Sequence, residues 1–230
     1  MEAQALQLDL EPFSGAASRD EALVRFLGRH GIASVRQVMR EFAIGRTGAY
    51  RLLAACTERG LIERDDSLRR EPSVLYATRE GLRWAGLGYP VAKLSPSLIR
   101  HGLRCTSTAQ ELGREFPSGV HTERDLFWIE RQEGKPLAAA KLGTRPDGGP
   151  RLHRPDLAVP TEAGVIAVEV ELSPKAPRRL EAIMRAWRRS PWVEEVRYYC
   201  EPGQTRRAVE RAILATRSQE RVLVFEAVAR

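Results

Sequence analysis

The segment Gly164-Val-Ile-Ala-Val-Glu-Val-Glu-Leu172 constrains the fold more than any other part of the chain. It is a short apolar run rich in β-branched residues, bounded by Gly164 and by Ser173-Pro174, which is the composition of a buried strand. A strand alternates its faces with period two. Glu169 and Glu171 therefore share one side, and Val168, Val170 and Leu172 the other. A second short run, Arg154-Pro-Asp-Leu-Ala-Val159, adds a third carboxylate, Asp156. Carboxylates on strands otherwise made of valine are costly to bury unless paired or bound to a cation. A divalent metal is the simplest compensation. The alternative is that Asp156 caps a turn and the glutamates pair with arginines such as Arg178 and Arg179.

The 230 residues allow one or two domains, each able to bury a core. The formal charge is +7, carried by 33 arginines and only 4 lysines. A guanidinium binds phosphate bidentately, which suits nucleic acid. Arginine excess also follows from GC-rich coding, so composition alone does not decide the partner. Cys56, Cys105 and Cys200 are odd in number and far apart, and no CxxC or HxxxH spacing occurs, which argues against a disulfide framework or a zinc site. No apolar run reaches membrane-spanning length, and the start lacks the features of a signal peptide. The expected setting is the reducing cytoplasm, with no membrane partner.

Four segments organise the chain: a tail over 1–19, a first domain over 20–88, a linker over 89–95 and a second domain over 96–230. Ser18 with Glu21 has the capping-box spacing ahead of Leu23, Val24, Phe26 and Leu27. After Gly31, Ser34 opens a second helix whose apolar face is Val35, Val38, Met39 and Phe42, at i, i+3, i+4 and i+7. A tight turn at Ile44-Gly-Arg-Thr47 leads to a third helix over about 47–59, stopped at Gly60. A hairpin over 61–64 and 74–77 and a helix from Thr78 complete the domain. The second domain opens with Ser95-Pro96, a good helix start. A helix is expected over 97–116, broken near Thr106. Strands are expected at 124–130, 137–142, 156–160, 165–172, 195–200 and 221–227, and helices at 176–189 and 203–217. The late β-α-β-α-β order implies parallel pairing. The fold class is α/β overall.

The first-domain order of helices, turn and hairpin resembles a winged helix-turn-helix, and Ser34 to Arg64 carries the resemblance. It implies that the third helix enters the major groove with Arg46, Thr47, Tyr50 and Arg51, while Arg69 and Arg70 on the wing meet phosphates. Double-stranded DNA is then the partner, and residues 20–88 are expected to bind it by themselves. Pro155-Asp156 with Glu169-Val-Glu171 resembles the PD-(D/E)XK nuclease superfamily, which implies a mixed α/β, restriction-endonuclease-like core. There Asp156, Glu169 and Glu171 would be catalytic and would hold Mg²⁺ or Mn²⁺. Glu171 stands where that superfamily usually has Lys. Lys175, four residues on, is the candidate to fold back, although its position does not match the motif. The preceding helix often adds an acid, for which Glu111 and Glu115 are candidates. The whole chain resembles the replication-relaxation family of plasmid and integrative-element proteins, related to nuclease-fold mobilisation relaxases. The matching residues are the two strand motifs and His101-Gly-Leu-Arg104. That resemblance implies DNA processing or control on mobile elements, alongside other replication or transfer proteins, and leaves open whether the chain cuts.

Other chemistries fit less well. His30, His101, His121 and His153 contain no His-x-His pair, and His101 and His121 read as ordinary polar residues. Tyr198-Tyr199 lies on an apolar strand and reads as core. Trp128, Trp187 and Trp192 read as packing residues. No GxxxxGK[ST] loop is present. Two functions remain: a metal-dependent DNA endonuclease or nickase targeted by the winged helix, and a DNA-binding regulator or replication accessory protein with an inactive nuclease-like core.

Overall fold

The computed structural model describes residues 18–66 and 72–228. The first domain begins with α1 (Arg19–His30), β1 (Ala33–Ser34), α2 (Val35–Glu41) and α3 (Arg46–Glu58). It continues with β2 (Ile62–Asp65), β3 (Val74–Ala77) and α4 (Arg79–Trp84). The Ser18 hydroxyl accepts from the Glu21 N–H, and Ser34 with Gln37 forms a reciprocal capping box, so both starts expected from the sequence are made by the expected side chains. Gly60 ends the α3 turn with φ 67°, a left-handed conformation that glycine adopts without steric cost. The strands form an antiparallel sheet in the order β1-β3-β2. Leu23, Val24, Leu27, Val38, Leu53, Cys56, Ile62 and Leu75 meet in one core. This is the topology of a winged helix. The two-residue β1 is too short to have left a periodic signal.

The second domain runs α5 (Pro96–Glu115), β4 (His121–Thr122), α6 (Glu123–Glu133), β5 (Ala140–Thr144) and β6 (Pro150–His153). Then follow β7 (Leu157–Pro160), β8 (Val165–Glu171), α7 (Pro177–Arg188), β9 (Val193–Cys200), α8 (Gln204–Thr216) and β10 (Val222–Glu226). Five strands form a mixed sheet in the order β10-β9-β8-β7-β4. β8, β9 and β10 are mutually parallel, as the β-α-β-α-β order requires, whereas β7 and β4 are antiparallel. Leu112 of α5 packs on Leu157, Val159, Ile166, Val168 and Val170 on one face. Leu180, Ile183, Met184, Trp187, Val209 and Ile213 of α7 and α8 pack on Ala167, Val196 and Tyr198 on the other. The result is a three-layer α/β/α domain. The apolar face of β8 is thus Ile166, Val168 and Val170, and Glu169 and Glu171 face α7, in agreement with the alternation.

Two sequence expectations are corrected. Residues 124–130 are helix α6, not a strand. Thr122 accepts from the Asp125 N–H, and the Asp125 carboxylate returns to the Thr122 N–H, a capping box that nucleates a helix. Leu126 and Ile129 turn inward at i and i+3, leaving Phe127 and Trp128 outside. Four consecutive apolar residues imitated a strand because the helix exposes half of them. The second correction concerns α5, which is continuous through Thr106. That hydroxyl donates to the Gly102 carbonyl one turn back and also to the Ile32 carbonyl of the first domain, so its polar group is satisfied while the helix runs on.

The two domains are joined along α5. Ile32 and Val74 pack against Ile99 and Leu103. Gly102 sits where a Cβ would lie 2.9 Å from the Ile32 side chain, so any larger residue would force that side chain to shift. The buried Gln37 amide donates to the Leu103 carbonyl at 2.6 Å and to Ser107 at 2.9 Å. Arg29 grips Asp125 through Nε and Nη2, and Tyr89 donates to the same carboxylate at 2.5 Å. Residues 89–95 are a packed strap: Tyr89 and Val91 lie on the first core, Ala92 and Leu94 on the seam.

Candidate functional site

α3 begins at Gly45 without a side-chain cap, so the N–H groups of its first turn are left open. Ala49, Leu52, Leu53 and Cys56 turn inward and fix the rotation of the helix. The opposite face presents Arg46, Thr47, Tyr50 and Arg51, all exposed. The Arg46 guanidinium lies over the Tyr50 ring, 5.7 Å from its centroid. Among the described residues neither Arg46 nor Arg51 has an acidic partner. Both arginines are therefore available to an anionic ligand. The four side chains expected on this surface are on it. Arg69 and Arg70 lie outside the described residues.

Asp156, Glu169 and Glu171 lie near the junction of β6, β7 and β8, but among the described residues their oxygens do not form a group within 4.8 Å of one another. β7 pairs with β8 in the register Leu157 to Val168, which sets Asp156 beside Glu169 one step before the ladder. There the Asp156 carboxylate, through Oδ2, accepts the Val170 N–H at 2.7 Å. That bond holds Asp156 against the residue between Glu169 and Glu171. Glu169 is 3% exposed and Glu171 5% exposed, so each needs compensation. Glu169 receives the His153 Nε2 at 2.6 Å and the Trp187 indole N–H at 3.2 Å. Glu171 is ion-paired with Lys175, which folds back one turn of chain to reach it. The compensating cations are thus His153 and Lys175, not Arg178 or Arg179.

Mutual influence between these groups is strong. Burial pushes the Glu171 carboxyl up; Lys175 opposes this, Glu169 and Asp156 add to it, and the net displacement is upward. Burial favours the neutral amine of Lys175, but the nearby carboxylates Glu169 and Glu171 outweigh it and raise its pKa. Burial likewise lowers His153, and the charge and hydrogen bond of Glu169 outweigh it, so its pKa is raised and it favours the imidazolium form. Two cations and three carboxylates therefore influence one another electrostatically at the head of β7 and along β8.

α5 brings His101 to the same place from the opposite face of the sheet. Its Nε2 is 3.4 Å from Asp156 Oδ2 and 3.1 Å from the Val170 carbonyl. The Cys105 thiol, one turn further on, lies 3.5 Å from His101 Nδ1. The acids suggested on this helix are elsewhere: Glu115 pairs with Arg197 at 2.9 Å. Glu111 starts about 15 Å further along the axis than His101. The partners of His153 and His101 elsewhere in the fold are 16 to 69 residues away, so sequence spacing did not reveal them. The one local signal was the i, i+4 spacing of His101 and Cys105 on one helix face.

No family model and no curated protein matches the chain. Two solved structures of a mutant of Lactococcus lactis ZitR, one described as the apo form, align with it at 19% and 17% identity. They cover 50% and 51% of this chain and 76% and 71% of the ZitR chain. The TM-score is 0.27 in both cases, and at that level the likeness carries no argument. Among the described residues no helix is long and apolar enough to cross a membrane.

Proposed function

We propose that this chain binds duplex DNA through α3 and that its second domain is a nuclease-like core acting with Mg²⁺ or Mn²⁺. The observation that carries the second part is the 2.7 Å bond from the Val170 N–H to Asp156, which ties Asp156 to the strand that bears Glu169 and Glu171. Their oxygens are hard donors, which suit Mg²⁺ or Mn²⁺. Bound there, such an ion would neutralise charge on a phosphate and lower the pKa of a water. The chain's own part is to aim the carboxylates and to hold Lys175 beside them. Lys175 would stand in for the lysine that this class of site usually carries two residues after the first glutamate. Arg46 and Arg51 would bring the phosphate backbone to the protein. The replication-relaxation resemblance adds a plasmid or other mobile element as the setting, with replication or transfer proteins as partners.

One observation favours the second reading, a DNA-binding regulator with a silent core. Glu169 and Glu171 already have His153 and Lys175 as counter-charges, so metal binding has to displace favourable pairs. A cleavage assay on supercoiled and single-stranded DNA decides between them. The nuclease reading expects nicking that needs Mg²⁺ or Mn²⁺ and vanishes in Glu169→Gln. DNA binding without cleavage on either substrate, and without Mg²⁺ or Mn²⁺ uptake by calorimetry, selects the regulator.

A further inference from the structure

We propose that His101, Cys105 and Asp156 form a binding site for a single Zn²⁺-class ion between α5 and the head of β7. One donor atom from each lies within 4.8 Å of the others, and among the described residues this is the group of three metal-ligating side chains so placed. The Cys105 Sγ is 3.8 Å from His101 Nε2, and that nitrogen is 3.4 Å from Asp156 Oδ2. A tetrahedral ion with bonds of about 2.0–2.3 Å sets its ligands about 3.3–3.8 Å apart. The donors therefore need little movement to close on an ion.

The frame is built independently of any metal. His101 and Cys105 are one turn apart on a twenty-residue helix, and Asp156 is anchored by the Val170 N–H. All three line a cavity of about 230 Å³ that Glu123 and Thr122 also border. Three protein ligands facing a cavity leave a position for a water or an outside ligand. Thiolate and imidazole are soft and borderline donors, which favour Zn²⁺ or Co²⁺ over Mg²⁺. This donor set differs from the carboxylate set of β8 and shares with it only Asp156. If the nuclease-like reading holds, Zn²⁺ here draws Asp156 toward α5 and away from Glu169, so Zn²⁺ would antagonise Mg²⁺ activation.

The test uses the full chain stripped with chelator and titrated with Co²⁺. The expected result is a thiolate-to-Co²⁺ charge-transfer band and the visible bands of a four-coordinate ion, saturating at one equivalent. Zn²⁺ should displace it and excess Mg²⁺ should not. Cys105→Ser should abolish the charge-transfer band, and His101→Ala should weaken binding by more than about 100-fold, beyond the loss typical of an outer-shell change. Cys56→Ser, Glu169→Gln and Glu171→Gln should leave the spectrum unchanged, which separates this site from the proposed Mg²⁺ site. Should Cys105→Ser not fold, Zn²⁺ protection of Cys105 from alkylation in the native chain, read by mass spectrometry, gives the same information. Folded protein without a thiolate band, a band surviving Cys105→Ser, or no protection of Cys105 overturns the proposal.

Discussion

At the residue scale, charge placement does most of the explaining. Arg46 and Arg51 are exposed and, among the described residues, without an acidic partner, on a helix whose inward face is fixed, so their loss should be felt by a ligand and not by the fold. Replacing either by Ala should weaken duplex binding by about 1–3 kcal/mol if that arginine is bidentate to a guanine, with no change in melting temperature. Titration of both variants across several salt concentrations checks this, and unchanged affinity in each would remove α3 as the reader. His30 sets a different expectation. Burial, aided by the neighbouring Arg29, lowers its pKa from 6.5 to about 3. A folded pKa below the unfolded one means the unfolded chain takes up the proton first, so stability falls as pH drops from about 6.5 toward 3. His30→Gln should flatten the melting temperature over that window, measured by calorimetry at pH 7, 5 and 4. That Glu169 and Glu171 share one face was legible at this scale because strand period is local. His101, Cys105 and His153 were not, because what gives them meaning is contact across the sheet.

At the element scale, most of the secondary structure announced itself through caps. Ser18, Ser34, Thr78 and Ser95 each accept an N–H in the first turn of the helix they open. The failure at α6 has the same origin as those successes. Thr122 and Asp125 form a box as good as that of Ser34 and Gln37, but the run Leu126-Phe-Trp-Ile129 outweighed it in a reading by apolar density. Asp125 also belongs to the seam, where Arg29, Tyr89 and the Thr122 N–H all donate to it. Burial alone would raise its pKa, yet Arg29 and these bonds win and the pKa is lowered from 3.8. Its contribution is therefore present above the ordinary carboxylate range and lost only as pH falls below it, later than that of His30. Asp125→Asn should cost about 2–4 kcal/mol, somewhat less than a fully buried pair because Arg29 keeps partial access to water. Urea unfolding at neutral pH measures the loss. A cost below about 0.5 kcal/mol, the level of ordinary surface changes, would show that the network is ornamental.

At the scale of the whole molecule, the parallel order of the last three strands was readable from the sequence and the packing of α5 against Ile32 and Val74 was not. A composition shift at Gly86 to Ser95 marks a boundary, but nothing local says that α5 will serve both cores. Ile32 and Val74 belong to the winged helix by chain position and to α5 by packing, and the Gln37 side-chain NH2 donates to Leu103 and Ser107 across the seam. This qualifies the expectation that the first domain binds DNA unaided. A fragment over 18–91 returns Ile32 and Val74 to water, at about 1.5–3 kcal/mol for each side chain. Several kcal/mol is a large share of the stability of so small a domain. A fragment over 18–116 keeps α5 and most of that burial. The longer fragment should therefore melt cooperatively well above the shorter one and bind duplex DNA more tightly at the temperature where the shorter one is partly unfolded. At low temperature the two affinities should converge, because the α3 surface is the same in both. Equal stability of the two fragments would mean that the seam contributes nothing. A persistent affinity gap in the cold would mean instead that α5 itself touches DNA.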